Sequence, residues 1–405
     1  MRRASSDLVG TGPSSARVVG AALVVSIGGS LPSFLTGALA VQLRSDLGLD
    51  TTQLGVALGA FGLAAALASV VLGRVVERIG PERSMRIAAT VSVAAMAGIA
   101  VAATSFGRLV GFLALAGFGV ALTNPAVNAF VARGVPIHRH GLAFAIKQSG
   151  MPAAALAAGA AVPLLALTVG WRYGFVSGAA IAACGLALVP ARRVADARPT
   201  PDSTPAFSEP GPTARPPVSH TTLVILSIGV GLGAAAAAVL VGFLVSGAVH
   251  VGIAPGAAGW LLTGGSLVGI AVRVRAGVLA DRRDGRHLRV VALMLLAGSV
   301  GFVLFSLDVS RVYVVATVLA FGTAWAWPGL FNFAIVRIRP DDPGAATGLT
   351  QTGVYVGILA GPLIFGAVVD AASYTAGWLL TAGFALAGAA TVTLGRRRVR
   401  RERRS

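Results

Sequence analysis

The chain has 405 residues, of which 55% are hydrophobic and 12% charged, and its formal net charge is +18. Soluble proteins average about 25% charged residues, so this chain cannot cover a water-facing surface. Nucleic-acid binding is a poor explanation of the charge, because the arginines lie in short segments between apolar runs and form no single basic face. Cys184 is the one cysteine, which excludes a disulfide framework and a cysteine metal motif.

Apolar runs long enough to cross about 30 Å of hydrocarbon as helices follow one another along the chain. The predicted spans are residues 18–41, 53–75, 86–104, 108–132, 141–168, 171–190, 221–248, 256–279, 288–307, 311–336, 346–370 and 374–395. The pattern predicts an all-α membrane protein with twelve transmembrane helices in two pseudo-symmetric six-helix bundles, residues 18–190 and 221–395.

The remaining segments are polar. Residues 191–220, rich in Pro, Ser and Thr, are predicted to be a flexible cytoplasmic linker because they cannot bury enough apolar surface to fold. Residues 1–17 and 396–405 are predicted to be cytoplasmic tails, the second strongly basic.

The placement of arginine predicts the orientation. Alternate segments between spans are rich in arginine, whereas the others hold only Arg44, Arg108, Arg172 and Arg311. The positive-inside rule then puts both termini in the cytoplasm of a cell whose plasma membrane holds the chain. The net charge is therefore explained mostly by topology, with the lipid bilayer as a partner.

The two halves repeat one another. The sequence GRVVER at 73–78 recurs as GVLADR at 277–282, and IKQSG at 146–150 recurs as LTQTG at 349–353, in the same order and at nearly the same offset. Parallel repeats of this kind occur in secondary transporters, which place their substrate site near the bilayer midplane between the repeats.

The loop after the second span, GRVVERIGPERSMR at 73–86, resembles the pattern G-x-x-x-D-R-x-G-R-R of the major facilitator superfamily. Glu77 replaces the aspartate, which the second copy keeps as Asp281. The resemblance covers the chain apart from its linker and tails, and implies a bacterial transporter that works by alternating access. It also implies a cytoplasmic gate, formed only when that side is closed, with the candidates Gly73, Glu77, Arg78, Gly80, Arg83, Gly277, Asp281 and Arg282. The alternative is that these loops only form turns and set the topology.

Lys147 is the only lysine, and it lies within the fifth predicted span. A cation there costs from a few kcal/mol to more than ~10 kcal/mol, so it needs a function or a partner. No acidic residue within the apolar runs is an obvious partner, which indicates that a substrate brings the negative charge. Three alternatives stay open: snorkelling to the cytoplasmic surface, which is roughly 9 Å away along the helix; a role in the inner gate; and proton coupling.

Other polar residues within the spans are candidates for the substrate site, although each could simply make a helix–helix hydrogen bond worth about 0.6 kcal/mol. Gln148 and Gln351 occupy corresponding positions in the repeat, where the partner of Lys147 is Thr350. The complete set of candidates is Lys147, Gln148, Asn124, Asn128, Gln351, Tyr355, Trp325, Trp327 and Asn332.

These patterns favour a secondary transporter of a small organic anion or carboxylate-bearing compound. A proton-coupled drug or metabolite efflux antiporter is the first alternative, although the R-x-x-Q-G motif of many such exporters is replaced around Leu113, Ala116 and Gly117. A non-transporting membrane sensor or scaffold is the second. An enzyme is not expected, because the spans hold no nucleophile–base pair and no phosphate-binding loop. We expect a monomer with no metal and no cofactor, and leave a coupling proton open.

Overall fold

A computed structural model describes residues 15–136, 140–190, 218–282, 287–339 and 343–403. Within these ranges the chain is helical apart from short turns, and it contains twelve helices long and apolar enough to cross a membrane. The predicted all-α, twelve-span fold is confirmed. A membrane favours this architecture because each helix satisfies its backbone hydrogen bonds internally.

Each half contributes six spans, and one span in each half is interrupted. The helices of the first half are α1 (Ser15–Ala38), α2 (Ala40–Leu47), α3 (Thr51–Ile79), α4 (Pro81–Ala102), α5 (Phe106–Gly134), α6 (His140–Gln148), α7 (Gly150–Ala161) and α8 (Trp171–Leu188), with a π-helical turn at Val162–Ala166. Those of the second half are α9 (His220–His250), α10 (Pro255–Arg282), α11 (His287–Phe305), α12 (Ser310–Thr323), α13 (Pro328–Ile338), α14 (Pro343–Ala371) and α15 (Tyr374–Glu402). The fifth span is divided between α6 and α7, and the tenth between α12 and α13.

Local chemistry sets several helix boundaries. Asp50 begins α3 with a capping box, in which its side chain accepts from the backbone N–H of Gln53. Gly80 has a φ of 89°, which suits the turn into α4 that Pro81 begins. The last helix continues to Glu402, so much of the segment predicted as a basic tail is helical. Most of the predicted linker, residues 191–217, lies outside the described residues.

Small residues allow the closest helix contact within the second half. A Cβ atom at Gly361 of α14 would lie 2.6 Å from the carbonyl oxygen of Ala235 on α9, and one at Gly357 would meet the carbonyl of Gly231. Glycine at these two positions lets the backbones approach, which is how membrane helices gain packing energy without a hydrophobic driving force.

The hydrophobic core has a different layout at the two ends of the bundle. We call the end where α3 joins α4, α5 joins α6, α10 joins α11 and α13 joins α14 the basic end, because the arginine-rich segments lie there. One large core cluster, which includes Leu31 and Phe365, draws residues from both halves toward the opposite end. Toward the basic end the buried residues form two separate clusters, one confined to each half. The halves therefore meet at the opposite end and separate toward the basic end.

Candidate functional site

Lys147 lies near the end of α6, with only 5% of its surface exposed. Its Nζ donates to Oδ1 of Asn124 on α5 and to Oε1 of its neighbour Gln148, each at 3.3 Å. The ammonium group is thus turned toward α5 and does not extend into solvent. Both acceptors are neutral amide oxygens, so the described contacts solvate the charge without neutralising it.

The position is set by an interruption in the fifth span. The helix breaks at Ser149, between α6 and α7. Next to it, Gly150 packs so closely on α1 that a Cβ atom there would lie 2.8 Å from Cβ of Ser26. Close packing of the span on α1 therefore holds the helix in place immediately after Lys147.

Tyr355 of α14 extends the same network into the second half. Its hydroxyl lies beside the side chains of Asn124 and Gln351. Asn124 therefore lies between a cation of its own half and a phenol of the other. We call these five residues the polar cluster: Lys147, Asn124, Gln148, Gln351 and Tyr355.

The repeat is symmetric in sequence but not in chemistry. Thr350, which corresponds to Lys147, is 1% exposed, and its hydroxyl donates within its own helix to the carbonyl of Ala346 at 3.2 Å. The charge at Lys147 is an addition to one half only. An asymmetric ligand site on a symmetric scaffold would have this arrangement.

Four of the predicted candidates lie outside the polar cluster. Asn128 is exposed and Asn332 is partly buried. Trp327 packs on Phe331 in the core of the second half, with ring centroids 6.1 Å apart. Trp325 lies where the halves meet, because its ring is edge-on to that of Phe34 in the first half at 6.4 Å.

The residues predicted to form a gate lie at the basic end. Glu77 and Arg78 of α3 and Arg83 of α4 are exposed. A Cβ atom added at Gly73 would meet nothing within 4 Å. Gly277, Asp281 and Arg282 belong to α10, but their side chains are not among those described.

Arg273 was missed as a site residue, because the sequence pattern groups it with the basic loop after the eighth span. The structure places it inside α10, which continues to Arg282. Its Nη2 donates to the backbone carbonyl of Trp325 at 2.5 Å, and its guanidinium carbon lies 4.9 Å from the centroid of that ring. The sequence could have indicated a cation within a span here, since residue 273 falls within the predicted span 256–279.

The contacts that join the halves at the opposite end were also missed. The carboxylate of Asp370, at the end of α14, accepts from the backbone N–H groups of Thr51 and Thr52 at 3.2 and 2.5 Å. These are the first residues of α3, so an anion of one half caps a helix of the other. Thr263 of α10 donates to the carbonyl of Leu156 on α7 at 3.3 Å.

Asp46 makes an ion pair near the same end, within the first half. Its Oδ2 accepts from Nη1 of Arg172 at 2.8 Å and from Nε1 of Trp171 at 3.0 Å. The hydrogen bonds from Arg172 and then from Trp171 hold the pKa of Asp46 below its usual value, against a small opposing effect of burial. The pair ties the start of α8 to α2.

The described residues thus form two bundles of six spans, with a polar cluster that draws side chains from both, and this is an architecture that secondary transporters use. A family model described as Major Facilitator Superfamily matches residues 18–248 and 223–405. The chain belongs to the Major Facilitator Superfamily, and the resemblance drawn from the loop at 73–86 is confirmed. It is a multi-pass membrane protein and a transporter, not an enzyme.

A curated relative is similar over most of this chain, and solved structures share its fold. A chloramphenicol resistance protein of Streptomyces lividans is 28% identical over 89% of this chain and 91% of its own length. A bacterial homologue of the human lysosomal transporter Spinster superposes with a TM-score of 0.73 at 16% identity, over 97% of this chain and 99% of that one. A D-xylose–proton symporter gives 0.71 at 14% identity, over 91% and 97%.

Proposed function

We propose that the protein is a secondary active transporter of a small organic anion, such as a carboxylate, and that Lys147 binds the anionic group. The observation that carries the proposal is that the Lys147 ammonium is buried and that its described contacts are two neutral amide oxygens. A cation in a membrane span is retained where it has a function, and a substrate carboxylate would supply the missing charge. Asn124 and Tyr355 would complete the site from both halves.

The arginine asymmetry supports an orientation with the basic end and both termini in the cytoplasm. In that orientation the described conformation is closed to the outside and open to the cytoplasm. The two bundles, residues 18–190 and 221–395, would rock about the polar cluster while the linker at 191–220 keeps them in one chain. A monomer suffices, because one chain supplies both sides of the site.

Uptake by the purified chain in liposomes tests the proposal. A screen of thermal stability against acetate, benzoate, succinate and citrate would first find an anion that stabilises the folded protein. Uptake of that anion, labelled, should then fall at least about tenfold in Lys147→Met and less in Lys147→Arg, because the loss of one charge-assisted hydrogen bond costs roughly 1.5–3 kcal/mol.

The matched control is Thr350→Val, at the corresponding position of the other half. That substitution removes a buried hydroxyl whose bonds are internal to α14, so uptake should change little. Equal anion uptake by wild type and Lys147→Met, with the same apparent affinity, contradicts the proposal. A similar loss in Thr350→Val would show a general sensitivity of the bundle instead of a charge effect.

A drug efflux antiporter is the second candidate, and the Streptomyces lividans resistance protein is the observation that favours it. Expression of the chain in a susceptible bacterium would then raise the inhibitory concentration of chloramphenicol. Chloramphenicol carries no charge, so anion transport predicts no such rise. Uptake or efflux with and without an imposed pH gradient decides whether a proton is coupled.

A further inference from the structure

A second cation inside the membrane region lies in the other half of the molecule. Arg273 is half-buried, and one of its five N–H donors is used by the carbonyl of Trp325. Its Nε is buried and has no hydrogen-bond partner among the residues that the structure describes. The described contacts of its guanidinium are therefore one neutral carbonyl and one aromatic ring, and neither neutralises the charge.

A break in the tenth span explains how the carbonyl of Trp325 becomes available. The helix is interrupted between Thr323, where α12 ends, and Pro328, where α13 begins. Proline has no N–H to donate, so carbonyls of the preceding turn lose their helical partners. Arg273 satisfies one of them, and this contact fixes the guanidinium at the same boundary where Trp325 meets Phe34 of the first half.

Lys147 and Arg273 lie at matched depths on facing helices. The helices α7 and α10 touch at Leu156 and Thr263. Lys147 precedes Leu156 by nine residues and Arg273 follows Thr263 by ten, which places them roughly 14 and 15 Å from this contact along their helices. Since α6–α7 and α10 run in opposite directions, both displacements point toward the basic end.

Neither Lys147 nor Arg273 has a carboxylate among its described contacts. Within the candidate spans of the described residues, the acidic side chains Glu82, Asp370 and Glu402 all lie near span ends. When the halves come together around a ligand, both cations lose water. A monoanion would then leave one cation uncompensated in a medium of low dielectric constant, at a cost of several kcal/mol.

We infer that the transported substrate is a dianion, with one anionic group on Lys147 and the other on Arg273. The inference rests on the proposed anion transport. Each half then binds one end of the substrate, so only a molecule with two anionic groups neutralises both halves and favours their closure.

The competing explanation is that Arg273 only stabilises the broken helix. Binding by the purified full chain separates the two ideas, with succinate, glutarate and adipate as probes and the mono-amide of each as the matched monoanion. Each pair differs by one charge at nearly equal size. For at least one chain length, the wild type should bind the diacid about tenfold more tightly than its mono-amide, as one extra charge-assisted hydrogen bond predicts.

Arg273→Gln should abolish this diacid preference while leaving affinity for the mono-amide nearly unchanged. Arg273→Lys should keep part of the preference because it keeps the charge. Arg275→Gln is the matched control, since Arg275 is exposed and lies two residues further along the same helix. Trp325→Phe removes the indole but keeps the backbone carbonyl, so it should retain the preference.

Equal affinity for diacid and mono-amide in the wild type at every length overturns the dianion inference, whether or not Arg273→Gln folds. If the mono-amides bind and Lys147→Met weakens them, anion transport stands and only the dianion fails. If Arg273→Gln melts earlier yet keeps the full diacid preference, Arg273 is structural and the inference fails. If no member of the series binds while benzoate is taken up, the inference fails and the proposed function stands.

Discussion

The two ends of the bundle join its halves in different ways. At the end opposite the arginines, one hydrophobic core crosses from half to half, and Asp370 of one half caps α3 of the other. At the basic end the core divides into two clusters, and Glu77 and Arg78 are exposed. The sequence motif at 73–86 thus lies at the end where the two halves are separate in this conformation. The end that is joined relies on small residues and helix termini, which carry no motif.

The comparison implies that the two ends oppose each other energetically. Contacts at the opposite end favour the described conformation, whereas we expect the motif residues to gain partners when the basic end closes. Substitutions at the two ends should therefore shift the same equilibrium in opposite directions. Reaction of an external, membrane-impermeant maleimide with Phe34→Cys in a Cys184→Ser background measures that equilibrium, because Phe34 lies beside Trp325, between the halves.

The largest effect is expected from Gly55→Leu. Gly55 of α3 faces the carbonyl of Pro362 on α14, and a side chain there would overlap that backbone. The substitution should prevent closure of the opposite end, raise the maleimide rate more than about tenfold and abolish transport, because overpacking costs roughly 1–3 kcal/mol or more. Gly264→Leu is the control, since a Cβ at Gly264 meets nothing within 4 Å. Similar rates in the two variants would contradict the proposed role of this contact.

A smaller shift of the same sign is expected from Asp370→Asn. The substitution removes the negative charge that caps the N-terminus of α3, an interaction worth about 0.5–2 kcal/mol. The maleimide rate should therefore increase several-fold. Asp308→Asn is matched, because Asp308 accepts from Thr375 within the second half at the same end. Its rate should stay at the wild-type value. An equal increase for both aspartates would mean that any loss of charge at this end loosens it.

Glu77→Gln should shift the equilibrium in the opposite direction. Its side chain is exposed here, so the substitution leaves this conformation unchanged and weakens only the one in which the basic end closes. A surface-exposed charge pair is worth about 0.2–1 kcal/mol, so the maleimide rate should fall by up to about fivefold. An increase in the rate would show that Glu77 stabilises the described conformation, and the opposition between the ends would be wrong.

The smallest effect concerns stability, not conformation. The pKa of Asp46 is lowered in the folded protein, so its pair with Arg172 stabilises the fold above the unfolded pKa of about 3.9 and loses this contribution as pH falls through the folded value. Both partners are partly exposed, with side chains 47% and 40% accessible, so Asp46→Asn should cost no more than about 1 kcal/mol. Thermal unfolding at pH 7 and pH 3 should show a larger difference between Asp46→Asn and wild type at pH 7 than at pH 3.

Several elements could be predicted because their cause is local. Apolar runs and the length needed to cross a bilayer specify the twelve spans, and Pro328 marks the break in the tenth. Lys147 was identifiable from cost alone, since a lone cation in such a run requires compensation. The chain's own repeat also showed that this charge has no equivalent at Thr350.

Other features depend on residues far apart in the chain. No pattern pairs Tyr355 with Asn124 or Asp370 with the start of α3, because those distances follow from how α14 packs on the first half. Arg273 falls within the predicted span 256–279, but its contact with Trp325 follows from how α10 packs on the interrupted tenth span. Trp325 and Trp327 have the same sequence context, yet only Trp325 contacts the other half.

The sequence by itself determined that this chain crosses the membrane twelve times, repeats its halves and holds a cation that no nearby acidic residue balances. Those properties follow from composition, periodicity and the energy of burying charge, each of which acts over a few turns of helix. The tertiary structure decided which side chains meet Lys147, where a second cation lies and which end joins the halves. These depend on the packing of helices against each other, and small residues that permit close approach leave the choice of partner to the whole bundle.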